Sequence, residues 1–173
     1  MNHILFPITY TCNLDCPFCD LQGKSEEDTE KCMDNILKMA GSIEWVYITG
    51  GEPFMVPNLI EICDRLKAAG FKVGVTTNGT HFLPEVAEHV DRIGISLDGD
   101  KDFHDAGRGE GVFDKAIKLL KAVKGKCETV AMSVALKDNG EALERLKPIL
   151  ERIDPTYWQI QRDVHDDTVL IAV

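Results

Sequence analysis

Between residues 4 and 161, six short β-rich runs alternate with five stretches of helical periodicity. Strands are expected at 4–9, 45–49, 71–77, 92–97, 128–136 and 157–161. Helices are expected at 25–41, 58–70, 83–90, 112–123 and 141–153. Ser25 opens the first helix, with Asp28 as the acidic partner of a capping box, and Gly41 closes it. Pro148 is expected to kink or break the last helix. Residues 168–173 read as a seventh or edge strand. Strict alternation argues for a parallel α/β architecture with right-handed crossovers and a site at the carboxyl ends of the strands. The pattern leaves open whether the sheet is open or curled into a partial barrel. The longest irregular stretch, 98–111, has the length of a functional loop.

The chain has 173 residues, enough for one domain with its own core. No apolar run approaches the ~20 residues of a membrane-spanning helix. The amino terminus lacks the basic start and apolar stretch of a signal peptide, so a cytoplasmic location is expected. The net charge is −10, from 19 Lys and Arg against 29 Asp and Glu, which argues against nucleic acid as a partner. In a reducing compartment, six cysteines read as ligands, catalytic groups or core residues rather than a disulfide framework.

Three of these cysteines stand together. Cys12, Cys16 and Cys19 are spaced Cys-x3-Cys-x2-Cys directly after the first strand. Three thiolates on one tight loop can hold three corners of a cubane iron–sulfur cluster. No fourth cysteine follows at a matching distance, so one iron would stay open to a substrate or cofactor. The alternative is a structural zinc site completed by Asp20 or by a distant His or Cys.

The motif resembles the signature of the radical S-adenosylmethionine (SAM) superfamily, including the aromatic Phe18 before the third cysteine. The resemblance extends along most of the chain. Gly50-Gly51-Glu52-Pro53 resembles the family's Gly-Gly-Glu-Pro motif. Residues 76–80 resemble its third-strand segment. Residues 95–99 and 104–109 resemble the fourth-strand segment of peptide- and protein-modifying members.

The resemblance implies a partial (β/α)6 barrel, with residues 1–173 forming a single core domain. It implies a 4Fe–4S cluster and S-adenosyl-L-methionine as cofactors. SAM is cleaved reductively to a 5′-deoxyadenosyl radical that abstracts hydrogen from a substrate, here a peptide or protein. A one-electron donor such as flavodoxin or ferredoxin is implied as a partner. The compact size also fits an activating enzyme of a glycyl-radical protein. From another class, a non-catalytic iron–sulfur or zinc protein stays open.

Cys12, Cys16 and Cys19 are the expected cluster ligands. Phe18 is expected near the adenine, or else in the core. Gly50, Gly51 and Pro53 would face the methionine end of SAM, and Glu52 would accept from its ammonium; otherwise this is an ordinary turn. Ser96 and Arg108 are candidates for the ribose hydroxyls and carboxylate of SAM, and Asp98 joins them unless Asp98-Gly99 is only a turn. Thr77, Asn78 and Ser133 are expected to line the same cavity, although a turn explains Asn78 and a backbone contact explains Ser133. Gln159 and Gln161 share one strand face and are candidates for adenine or substrate contacts. Cys32, Cys63 and Cys127 read as small hydrophobes, or as an auxiliary cluster. No cysteine follows Cys127, which weighs against a second cluster, and His104 carries no catalytic role. The barrel mouth needs a cover: a macromolecular substrate, a partner, a homodimer interface or residues outside this sequence.

Overall fold

The structure is a computed structural model that describes residues 3–21, 24–25, 28–162 and 171–172. Its strands are β1 (His3–Thr9), β2 (Trp45–Gly50), β3 (Lys72–Thr77), β4 (Arg92–Ser96), β5 (Glu128–Ala135), β6 (Tyr157–Arg162) and β7 (Ile171–Ala172). The helices are α1 (Thr29–Leu37), α2 (Leu59–Ala68), α3 (Lys101–Arg108), α4 (Val112–Val123) and α5 (Gly140–Ile153). The strands form one sheet in the order β1-β2-β3-β4-β5-β6-β7. The first six are parallel, and β7 returns antiparallel along β6.

A doubly wound sheet reverses its strand order at a switch point. This sheet never reverses. Crossovers of one hand therefore place all the helices on one face, and the other face curls inward as a partial barrel. Burial follows that division. Phe6, Ile8, Val46, Ile48, Val73, Val75, Ile93, Ile95 and Ala131 alternate onto the helix face and are almost fully buried. They pack with Leu59, Ile62, Leu66, Leu119, Leu120 and Leu146 of the helices. The inner face carries Tyr47, Thr49, Thr76, Ser96, Met132 and Gln159, related by the ladders Thr76↔Gly94, Ser96↔Met132 and Met132↔Gln159.

Its amino end is filled by a plug. Trp45 and Tyr47 stack at 5.3 Å, and the Arg92 guanidinium lies 4.6 Å from the Trp45 ring and 5.4 Å from the Tyr157 ring. Arg92 also donates to Tyr47 Oη (2.9 Å) and Glu128 Oε2 (2.8 Å). Free inner space is therefore left at the carboxyl ends of the strands.

Four sequence expectations change. The first helix begins at Thr29, not Ser25, because Asp28 is itself the N-cap: its Oδ1 accepts from Lys31 N–H at 3.1 Å. The helix expected at 83–90 is a 3₁₀ turn, Pro84–Glu88, too short to settle into an α-helix before β4. The loop expected at 98–111 contains α3. Asp100 caps it by accepting from Phe103 N–H (3.3 Å), and Gly109 (φ +117°) ends it. Among its residues only His104 is buried, so it has no apolar stripe to read. Pro148 leaves α5 unbroken; Pro148 and Glu144 lie on the exposed side, where the freed carbonyl meets water. Of the expected seventh strand, residues 168–170 and 173 lie outside the described residues. No helix among the described residues is long and apolar enough to cross a membrane.

Candidate active site

The loop leaving β1 is held where it starts. Gly51 N–H donates to Thr9 O (2.7 Å) and Glu52 N–H to Thr11 O (2.9 Å). The approach is so close that a Cβ on Gly50 would lie 2.1 Å from Thr9 O, and one on Gly51 2.2 Å from Thr11 O. The two glycines thus serve first to dock β2 against the strand entering the cysteine loop. Within the loop, Cys19 N–H donates to Cys16 O (3.1 Å), closing a tight turn. Leu14 N–H points at Cys12 Sγ (3.4 Å), and Asn78 Nδ2 lies 3.7 Å from the same sulfur.

Cys12, Cys16, Phe18 and Cys19 line one cleft with Gly50, Gly51, Thr77, Asn78, Ser96 and Arg108. The sequence had pointed to all ten. It missed Leu14, Thr49 and Thr76 in the same lining. Thr49 and Thr76 were recoverable, because they alternate onto the face that carries Ser96. Burial pushes the Cys16 thiol up, and the Arg108 guanidinium pulls it partly back.

Four expected residues stand elsewhere. Glu52 is fully buried behind the cleft. Its Oε1 accepts from Phe54 N–H (2.8 Å) and Thr77 Oγ1 (2.7 Å), and its Oε2 from Asn78 N–H (2.7 Å). The carboxylate brackets the ends of β2 and β3. Burial raises its pKa, and the three donors only partly offset that. Glu52→Gln turns one acceptor into a donor facing an N–H, and should lower stability by about 1–3 kcal/mol. Urea unfolding of the metal-free protein checks this, and an unchanged midpoint would remove the bracket role. Pro53 is buried at the start of the 3₁₀ turn Pro53–Met55.

Ser133 faces the helices. Its hydroxyl donates to Leu97 O and accepts from Trp158 Nε1 (2.9 Å). Asp98 is buried beneath Arg108. Its Oδ2 accepts from Arg108 Nε (2.6 Å) and its Oδ1 from Val134 N–H (2.9 Å). The Arg108 guanidinium then lies 5.3 Å from the Phe18 ring. Asp98 therefore positions a cleft residue instead of lining the cleft. Asn139 fixes the same corner, donating from Nδ2 to Asp98 O (2.9 Å) and Val134 O (2.7 Å).

His104 completes the arrangement. Its Nδ1 accepts from Asp98 N–H (3.1 Å), which puts the ring proton on Nε2, a buried atom without a partner. Burial, with Arg108 adding to it, pulls the His104 pKa down to about 4. The unfolded chain takes up this proton near pH 6.5 and the folded chain only near pH 4. Stability from the neutral ring is present above pH 6.5 and is lost as pH falls to 4, by about 3 kcal/mol. The stability gap between wild type and His104→Phe should shrink over that range. A gap independent of pH would refute the assignment.

Gln159 and Gln161 share the inner face with Met132, but do not reach the cysteine cleft. Cys63 is buried, and Cys32 and Cys127 pack against the core. Burial raises the Cys63 thiol to about 12 and the Cys127 thiol to about 11. A wider depression near the amino ends of the strands is lined by Lys67, Lys72 and Lys126, each paired, with Asp91, Glu44 and Glu88 respectively.

A cubane takes one thiolate at each of three irons, so its ligands surround a cavity without meeting at one point. Cys12, Cys16 and Cys19 are outside any disulfide and stand around one cleft. Among the described residues, no three His, Cys, Asp or Glu side chains converge on a single ion position. The donor set, three thiols around one cleft, fits a cubane.

Comparison with known proteins decides the family. The sequence profile of the Radical SAM superfamily matches residues 6–149. The chain belongs to the radical SAM superfamily. That membership carries a 4Fe–4S cluster and SAM as cofactors. The mycofactocin maturase MftC of Mycolicibacterium smegmatis is 32% identical over 167 residues, 88% of this chain and 42% of that protein. The subtilosin biosynthesis protein AlbA of Bacillus subtilis is 34% identical over 154 residues, 80% of this chain and 34% of that protein. The chain thus spans less than half the length of these relatives. Streptococcus suis SuiB, solved bound to SAM, superposes with a TM-score of 0.81 at 19% identity, covering 95% of this chain and 41% of that one. The likeness matches the partial barrel deduced from the strand order.

Proposed function

We propose that this chain is the catalytic core of a radical SAM enzyme that modifies a peptide or protein by hydrogen abstraction. The observation that carries the reading is one cleft, at the carboxyl ends of parallel strands, lined by three cysteine thiols, a guanidinium, hydroxyls and an aromatic ring. Bound there, the cluster and SAM supply reductive C5′–S cleavage and a radical able to take a hydrogen atom.

The residues supply the rest. Cys12, Cys16 and Cys19 would hold the cluster through three of its irons. Arg108, its Nε engaged by Asp98, would offer its remaining nitrogens to the SAM carboxylate. Phe18 offers a ring face, and Ser96 a hydroxyl from the floor of the cleft. Met132, Gln159 and Gln161 continue the inner face, on which substrate would lie. The peptide class rests on the relatives, MftC and AlbA, and on SuiB, also solved with precursor peptide SuiA. These relatives do not favour an activating enzyme of a glycyl-radical protein. A one-electron donor of the flavodoxin or ferredoxin type completes the reaction.

Anaerobic reconstitution with iron and sulfide, then SAM and dithionite, tests the proposal. 5′-Deoxyadenosine should form in a manner dependent on SAM, reductant and Cys12. A full cluster without product would refute catalysis by this chain alone.

A further inference from the structure

The loop after β3 runs outward from the cysteine cleft onto the outer helices. Asn78 Nδ2 bonds Cys12 Sγ (3.7 Å) and Asn13 Oδ1 (3.1 Å), and Asn13 Nδ2 bonds Thr80 Oγ1 (2.9 Å). Gly79 (φ +77°) lies so close to α4 that a Cβ would sit 2.8 Å from Ala116 Cα. Two residues beyond Thr80, Phe82 stands 50% exposed, with Lys118 Nζ 4.5 Å from its ring.

Lys115, Lys118 and Lys121 follow one another at three-residue spacing on the exposed side of α4. None has an acidic partner among the described residues. By contrast, Lys101, Lys124 and Lys126 are all paired, with Asp105, Asp154 and Glu88. A chain with a net charge of −10 thus presents a local cationic ridge. The ridge is joined through Phe82, Thr80 and Asn13 to the loop that carries Cys12.

We propose that this ridge, Phe82 with Lys115, Lys118 and Lys121, is the docking surface for a small acidic protein that donates one electron. The inference rests on the function proposed above. Lysines steer an acidic partner, and an exposed aromatic gives it an apolar foothold. The location selects a donor over a substrate. The ridge lies on the helix side and is linked through Phe82, Thr80 and Asn13 to the loop that carries the exposed Cys12, whereas substrate must reach the inner face of the sheet. An electron needs only closeness to the cluster edge. In the encounter the reduced donor loses one electron and the cluster gains it, with no bond made or broken. Such contacts are small, transient and salt-sensitive.

The test measures binding of flavodoxin and of a 2Fe–2S ferredoxin to the reconstituted protein at low and high salt. It compares wild type with the triple variant Lys115→Glu, Lys118→Glu, Lys121→Glu. One donor should bind wild type and bind the variant at least about tenfold more weakly, with wild-type affinity falling as salt rises. Phe82→Ala should weaken binding several-fold. Dithionite should bleach the cluster equally in wild type and variant, since a small reductant needs no docking. Failure of both donors to bind wild type, or unchanged binding by the variant, overturns the proposal. So does a variant that keeps its donor affinity and loses only affinity for polyglutamate, which assigns the ridge to an acidic substrate. Absence of 5′-deoxyadenosine under dithionite, with lysine-dependent donor binding intact, refutes the proposed catalysis and leaves the surface assignment standing.

Discussion

Alanine at Cys12, Cys16 or Cys19 should reduce SAM cleavage to background while leaving the protein folded. Each thiol has its own place around the cleft, so none can substitute for another. The loop that carries them is anchored by backbone bonds of Gly51 and Glu52 to Thr9 and Thr11, not by the thiols. Cys12 is exposed, Cys19 is only partly buried, and Cys16, although buried, lines the cleft and is not part of the main core cluster, so these substitutions open no cavity in that core. Circular dichroism should therefore stay unchanged while iron content and 5′-deoxyadenosine fall together. Alanine at Cys32, Cys63 or Cys127 should keep the iron count at about four per chain. Intact cleavage in any variant of the first group would sink the ligand assignment. Lost iron in the second group would reveal an auxiliary cluster.

The cysteine loop and the strand order were legible because both are local signals. Six β-rich runs with helices between them admit few topologies once crossovers share one hand. Side-chain direction was less legible. Ser133 was expected to face the cavity, yet it shares a face with Ala131 and bonds Leu97 and Trp158 behind the sheet. Alternation says that Ser133 and Met132 point opposite ways; only the ladder Ser96↔Met132 says which of them is inside. The structural partners of Glu52 are hidden in the sequence for a related reason. Its motif places it at the end of β2, but its three donors come from Phe54, Thr77 and Asn78, and two of these lie on another strand's end. The helix α3 escaped because its order comes from the Asp100 cap and from His104, not from an apolar period.

That corner carries the other large effect. Asp98→Ala removes the carboxylate that holds Arg108 Nε and leaves Val134 N–H without its acceptor. The pair is sheltered, with the Arg108 side chain 12% exposed and that of Asp98 2%. Breaking a buried pair from one side strands the other charge, so destabilisation of about 3–5 kcal/mol is expected. SAM affinity should fall as well, because a guanidinium released from Asp98 no longer holds its fork towards the cleft. Asp98→Asn separates the two effects. The amide oxygen can still accept from Val134 N–H, so part of the stability should return, while the amide nitrogen, itself a donor, faces Arg108 Nε–H and cannot hold it, and SAM affinity stays reduced. Urea unfolding of the metal-free protein reads the first effect, and calorimetric titration of SAM into the reconstituted protein reads the second. If Asp98→Ala were no more destabilising than alanine at exposed Asp138, the Arg108 guanidinium would have to be held by something other than this carboxylate. The path from α3 through Asp98 to the cleft would then carry no weight.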